Sequence, residues 1–301
     1  MAKKPMGMYV PIVTPFNDDK DNTINFDAFK EVIDYVIEGG MDGMLVTGST
    51  GEYHTMTEEE HKEVIKVCCE YVNGRVPIMA GCSGTTAKAT IEMCNYAADC
   101  GADFALVLPP YYQPTTEEGL KEFFLEIADG SKIGLCIYDN PLATGVEIAP
   151  EMIAELAKHP NIVALKDTSD MIHTSQCIAL TRDNPDFAVF QGYEHTILPA
   201  LAIGADGGFA ILMNAVPGEY AKIYKAYKEE GIDAAVELAM RPDMADLYTA
   251  MEAEPYPAPV KAMMEMLGVP GGVCRKPLPV ASDELKASMR QNLINLGYEV
   301  K

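Results

Sequence analysis

A (β/α)₈ barrel with a C-terminal helical extension is the fold this sequence predicts, on three observations. Eight short β-rich runs alternate with segments of helical period, as strand–helix units around a parallel sheet require. The run Ile162-Val163-Ala164-Leu165 is apolar throughout and two of its four residues are β-branched, which suits a strand covered on both faces. At 301 residues, 48% of them hydrophobic, the chain is long enough for a large core, and α/β barrels of this size form one unit. A doubly wound open sheet is the alternative, but it would gather its ligand groups at one switch point instead of around a ring.

Taken in order, the first run spans residues 8–13 and is followed by helical period over 26–38, closed by Glu38-Gly39-Gly40. The second run, 43–47, leads to a helix over 58–72. There Thr57 stands three residues before Glu60, a capping box with an acidic first turn, and Asn73-Gly74 marks the end. Runs 76–80 and 104–108 pair with helices 87–100 (stopped by Cys100-Gly101) and 117–128. Runs 133–138, 162–166, 187–191 and 207–212 pair with helices 150–158, 172–182, 196–203 and 217–228. Beyond residue 231 the strand pattern stops, and three helices are expected over 232–251, 260–267 and 283–296. Residues 1–230 are thus expected to form the barrel that carries the active site, and 231–301 a helical extension packed on it.

The net charge of −22, from 23 Lys and Arg against 45 Asp and Glu, repels nucleic acid and anionic membrane surfaces, so neither is expected as a partner. It also opposes long-range attraction of an anionic substrate, although salt confines that effect to about 8 Å. Anion binding must then come from local donors. The eight cysteines lie mostly in apolar runs without a C-x-x-C pair, and read as buried free thiols of a reducing compartment. The opening Met1-Ala2-Lys3-Lys4-Pro5-Met6-Gly7 does not resemble a secretory signal, and no apolar stretch approaches a membrane span. A cytoplasmic protein is expected.

Lys166 is the residue most open to chemistry. At the mouth of a buried strand its ammonium form is disfavoured by desolvation, leaving more free amine to attack a carbonyl. The plain alternative is a lysine that snorkels to solvent. Barrel active sites lie at the carboxyl ends of the strands, where two further polar groups fall. Gly48-Ser49-Thr50-Gly51-Glu52 follows the second run. Its glycines permit a tight turn that presents amide N–H groups and two hydroxyls to a small carboxylate, although such clusters are often only turns. Tyr138 closes the fifth run. A buried tyrosine often does no more than satisfy its hydroxyl with a carbonyl, but beside a lysine it can shuttle protons during imine formation and carbon–carbon cleavage.

These segments, with Val10-Pro11-Ile12-Val13-Thr14-Pro15-Phe16, Pro109-Pro110-Tyr111-Tyr112 and Leu165-Lys166-Asp167-Thr168, resemble the N-acetylneuraminate lyase and dihydrodipicolinate synthase family in order and spacing, essentially from end to end. The resemblance implies a class I aldolase on a (β/α)₈ barrel, working through a lysine Schiff base with pyruvate, without metal or organic cofactor, in a homotetramer. By position, Lys166 would form the imine and Tyr138 would move protons between imine, enamine and aldehyde oxygen. Ser49 and Thr50 would hold the carboxylate, with Thr50 linking the tyrosines in a relay. Tyr111, or Tyr112 if the alignment slips by one, would enter from a neighbouring subunit, and Phe209 would lay its backbone against pyruvate.

The second substrate is read from departures within that family. The synthase branch carries an arginine two residues after the proline of its Tyr-x-x-Pro segment, for the carboxylate of its aldehyde. In this chain Ala143 stands there, with neither charge nor donor, and losing a bidentate clamp should cost several kcal/mol of recognition. Pro257-Ala258-Pro259-Val260-Lys261 nevertheless resembles the synthase branch. Leu165-Lys166-Asp167-Thr168-Ser169, Gly192-Tyr193-Glu194, Gly204-Ala205-Asp206-Gly207-Gly208 and Cys274-Arg275-Lys276-Pro277 lean toward the sugar-acid lyases. By that resemblance Thr168 and Glu194 would contact polyol hydroxyls, with His195 a further substrate contact. His195 replaces a second carboxylate of the sialic acid lyase, and Ile211 replaces its polyol-binding serine, so sialic acid itself is not expected.

The expected reaction is cleavage or formation of a 2-keto-3-deoxy sugar acid, with pyruvate and an aldehyde as partners. The alternatives are 4-hydroxy-tetrahydrodipicolinate (dihydrodipicolinate) synthase acting on pyruvate and aspartate semialdehyde, a Schiff-base dehydratase, and, from another class, a non-catalytic keto-acid-binding relative. The five histidines show no metal spacing. The 204–208 segment, with no Lys or Arg near it in sequence, reads as a turn and not a phosphate cradle, and Arg275-Lys276 as a solvated turn.

Overall fold

The computed structural model describes residues 4–113 and 115–301. Eight parallel strands close in sequence order, β1 (Gly7–Pro11) completing the ring against β8 (Gly207–Phe209). Between them stand β2 (Gly43–Val46), β3 (Ile78–Gly81), β4 (Phe104–Val107), β5 (Gly134–Asp139), β6 (Ile162–Asp167) and β7 (Ala188–Gln191). Every residue of these strands is buried, which is why the runs read as apolar blocks and not as alternating patterns. One parity of side chains fills the barrel, including Leu45, Met79, Leu106 and Cys136, while the other packs against the helices. Tyr9, Phe190 and Phe209 meet with ring centroids 5.3 to 5.6 Å apart and form an aromatic plug inside the barrel.

Local chemistry places the helices. The Thr57–Glu60 capping box forms in full, and Asn73 and Gly101 close their helices in the left-handed conformation. Asp170 caps the Met171–Thr181 helix by accepting from the N–H groups of Ile172 and His173.

Four expectations need correction. The eighth strand stops at Phe209, and Ile211–Asn214 turn as a 3₁₀ helix because the Asn214 side chain bonds back to Val13 N and Pro11 O. The single helix expected over 232–251 is two, Ile232–Ala239 and Pro242–Glu252. Pro242 has no N–H to continue the first helix and excludes the helical conformation at Arg241, yet suits the first turn of a second. Arg275 is not a solvated turn residue: its guanidinium clasps Glu60 at 2.6 and 2.7 Å and lies over the Phe16 ring. Finally, the 204–208 segment does have a lysine beside it, since Lys4 pairs with Asp206 at 2.7 Å. That pair sits before β8, at the barrel end opposite the strands' carboxyl termini, and ties the chain start to the barrel.

No helix among the described residues is long and apolar enough to cross a membrane. All eight cysteines are unpaired and seven are buried.

Candidate active site

Pairing of β5 with β6 sets Tyr138 opposite Lys166 and Asp139 opposite Asp167. Strand alternation then turns Tyr138 and Lys166 into the barrel mouth and the two aspartates outward beneath the helices. Lys166 is only 6% exposed. Its Nζ lies 4.1 Å from the centroid of the Tyr138 ring and 4.8 Å from that of Phe209, and it joins no ion pair among the described residues. The amine thus faces aromatic surfaces and not a carboxylate.

The Tyr138 phenol oxygen accepts a 3.0 Å hydrogen bond from Asn140 Nδ2. Burial raises the pKa of this phenol, but the charge of Lys166 and the polar groups around the hydroxyl, Asn140 among them, outweigh it, and the net shift is downward. A phenol eased toward its anion suits a proton carrier. Thr168 follows β6 with its hydroxyl buried and without a protein partner. A β-carbon at Gly192 would collide with that hydroxyl, so glycine there keeps its place.

A cavity of about 720 Å³ opens above these groups. Lys166, Tyr138, Ser49, Thr50, Thr168 and Phe209 all line it, and Glu194 and His195 reach it higher up, so eight of the nine expected residues converge. Tyr111 does not. It is half-exposed outside the cavity of its own chain, and Tyr112 is more exposed still. Tyr53, which sequence reasoning missed, lines a small cavity with Tyr138, and burial together with the phenols of Tyr111 and Tyr138 pushes its pKa upward.

The wall differs in kind from the floor. Glu194 Oε1 accepts the Leu212 N–H at 2.6 Å. Desolvation pushes its carboxyl up to about 7 against the N–H groups of Leu212 and Ile211. His195 is exposed, packs at a tilt against the Tyr248 ring and stands 3.5 Å from Glu252. The C-terminal extension contributes Glu252, Glu254 and Tyr256, while Leu142, Ala143 and Ile211 add apolar surface. Apart from Lys166, no lysine or arginine lines the cavity among the described residues.

Behind the sheet lies a polar cluster that sequence reasoning did not anticipate. His173 Nδ1 is 3.0 Å from Asp167 Oδ2, while Nε2 is 2.9 Å from the Ile148 carbonyl and 3.6 Å from Asp139 Oδ2. Ser169 and Thr174 hydroxyls donate to Asp167 as well. Burial pushes Asp139 up to about 7; burial lowers His173, but its hydrogen bond to Asp167 prevails and takes it up to about 11. Ligand atoms of Asp167, His173 and Cys177 converge within 4.8 Å, a grouping invisible to linear metal spacing. The hydrogen bonds among them already account for the arrangement. The signal that could have found it is an aspartate after each of two functional strand residues, with a histidine on the next helix.

The pattern of the Dihydrodipicolinate synthetase family matches residues 4–295. The chain belongs to that family. It is 36% identical over 292 residues to the 4-hydroxy-tetrahydrodipicolinate synthase of Methanothrix thermoacetophila, covering 97% of each chain. The crystal structure of dihydrodipicolinate synthase from Aquifex aeolicus superposes with a TM-score of 0.92 at 32% identity, covering 99% of this chain and 100% of that one. YagE from E. coli K12, a prophage protein of the same family solved in complex with pyruvate, superposes with a TM-score of 0.91 at 27% identity, covering 97% and 99%. Further archaeal and bacterial relatives at 33–35% identity are also named 4-hydroxy-tetrahydrodipicolinate synthases. Membership establishes an enzyme of the pyruvate-dependent Schiff-base lyase class on the barrel seen here.

Proposed function

We propose that Lys166 condenses with pyruvate and that the resulting enamine adds to, or is released from, an aldehyde whose far end carries no carboxylate. The observation that carries this reading is the contrast within one cavity between an amine-and-phenol floor and a wall without lysine or arginine among the described residues. The Lys166 amine attacks the keto carbon and water leaves, giving the protonated imine. That imine withdraws electrons from the methyl carbon, which loses a proton to become the enamine carbon nucleophile. Tyr138 carries protons to the departing water and to the new alkoxide, and in the cleavage direction takes the proton of the corresponding substrate hydroxyl. Ser49 and Thr50 receive the keto-acid carboxylate. Thr168, with its unpartnered hydroxyl, and Glu194 then suit hydroxyls of the aldehyde part, as a 2-keto-3-deoxy sugar acid presents them.

A second reading has its own support. The relatives reported above at 33–36% identity are synthases, and they weigh toward condensation of pyruvate with aspartate semialdehyde. Against it stand Ala143 and the three carboxylates Glu194, Glu252 and Glu254, which offer the semialdehyde carboxylate repulsion instead of a clamp. One experiment separates the two. Cleavage of a panel of 2-keto-3-deoxy acids is followed by pyruvate release, beside condensation of pyruvate with aspartate semialdehyde. Efficient condensation without cleavage would establish the synthase, and dehydration without cleavage the dehydratase. A lack of any borohydride-trapped pyruvate on Lys166 would leave only a keto-acid-binding role. The half-exposed Tyr111 suits a homotetramer in which a neighbour covers it, and eight unpaired cysteines suit a reducing cytoplasm.

A further inference from the structure

The turn proposed to hold the pyruvate carboxylate is bracketed by two non-glycine residues in the left-handed conformation, Thr47 at φ 52° and Glu52 at φ 59°. Backbone of that kind persists only where surrounding contacts over-determine it. Those contacts come from far away in sequence. Glu52 is fully buried, and its Oε1 meets Lys261 Nζ at 2.5 Å, across 209 positions. Lys261, also buried, donates to the carbonyls of Thr14 and Val273 at 2.8 Å each, so all three of its protons are placed. The second oxygen of Glu52 accepts the Arg275 N–H at 2.8 Å. Arg275 is itself anchored to Glu60 and to the Asn22 and Thr55 carbonyls.

This contact reaches the cradle directly. The Glu52 N–H closes the turn on the Ser49 carbonyl at 3.0 Å, so a shift of Glu52 moves Ser49 and Thr50. A β-carbon on Gly51 would lie 3.1 Å from the Ile12 carbonyl and 3.3 Å from Thr14 Oγ1, so the turn is pressed against the end of β1 on its other side. Neither Glu52 nor Lys261 lines the cavity. We infer that Glu52 and Lys261 are positioning residues: through this dry ion pair the C-terminal extension holds the Ser49–Thr50 turn in the shape that receives the keto-acid carboxylate. The inference rests on the pyruvate reading given above and adds a task for the extension beyond covering the barrel.

Removing one partner of a buried pair leaves the other charge stranded, so Lys261→Met is the severe variant and Glu52→Gln, which keeps shape and one acceptor, the gentle one. The assay measures borohydride-trapped adduct on Lys166 with pyruvate and with hydroxyacetone, a methyl ketone without a carboxylate. Both variants should raise the half-saturating pyruvate concentration, by about tenfold or more for Lys261→Met and about threefold for Glu52→Gln, with little change in maximal rate or in hydroxyacetone trapping. Equal loss with both ketones would show a general structural effect and overturn the assignment, as would an unchanged pyruvate dependence. If Lys261→Met does not fold, Glu52→Gln decides alone. If the wild-type chain traps no pyruvate at all, the pyruvate reading itself falls, and this inference with it.

Discussion

The floor and the wall of the cavity are built on different terms. The floor groups stand at strand ends: Tyr138 and Lys166 are opposed by sheet register, and Ser49 and Thr50 lie in the turn that follows β2. The wall comes from loops, a 3₁₀ turn and the C-terminal helices, which bring carboxylates and apolar side chains from four separate stretches. A rigid scaffold with variable loops allows one imine chemistry to serve many aldehydes. The floor therefore states the reaction and the wall states the partner.

Predictions test that division, beginning at the floor. Lys166→Ala should abolish turnover and pyruvate trapping, a loss of at least about 10³-fold in kcat, with the circular dichroism spectrum kept. Residual turnover at an appreciable rate would move the imine elsewhere. Tyr138→Phe should still trap pyruvate while kcat falls on the order of 10²–10⁴-fold. Unchanged kinetics would end the proton-carrier role.

At the wall, Ala143→Arg should supply the missing cation and raise kcat/KM for aspartate semialdehyde about tenfold or more while lowering that for a neutral sugar acid. If the unaltered chain already condenses the semialdehyde efficiently, the wall does not select against a carboxylate-bearing aldehyde. Glu194→Gln should cost about 3–10-fold in kcat/KM for a hydroxylated substrate. It should also remove an inflection near pH 7 from the KM profile, since the Glu194 carboxyl, raised to about 7, changes from donor to acceptor there.

The smallest effect belongs to the cluster behind the sheet and is read in stability. Asp139 is raised from 3.8 to about 7, so its folded-state contribution is present at low pH and is lost as pH climbs from about 4 through 7. His173, raised from 6.5 to about 11, loses its own contribution over the next interval. Melting temperature should decline across both windows, and Asp139→Asn should flatten the first while leaving the second. A profile identical to the wild type's would show that Asp139 ionises in the folded protein as it does in the unfolded chain.

Much of the floor was legible because strand ends carry position in the sequence itself. A lysine, a tyrosine and a Gly-rich turn, each closing an apolar run, mark one rim of a barrel. Thr168 and Phe209 were found by resemblance, and the cavity contains both. What escaped notice shares one cause. Tyr53, the Asp139–His173–Asp167 cluster and the Lys261–Glu52 pair are meetings between residues whose individual neighbours in sequence say nothing of each other. The break at Pro242 was a local signal overlooked in favour of apolar periodicity.

Hydrophobic periodicity and turn chemistry by themselves determined eight strand–helix units, their order, and which residues stand at the strands' carboxyl ends, because burial on both faces and capping are imposed within a few neighbouring positions. Closure of the ring decided the rest. Only when β1 met β8 and the last helices folded back did the amine face aromatic rings, the carboxylates crowd the wall, and Lys261 reach Glu52. Those distances depend on how elements pack across two hundred residues, which no short stretch of chain encodes.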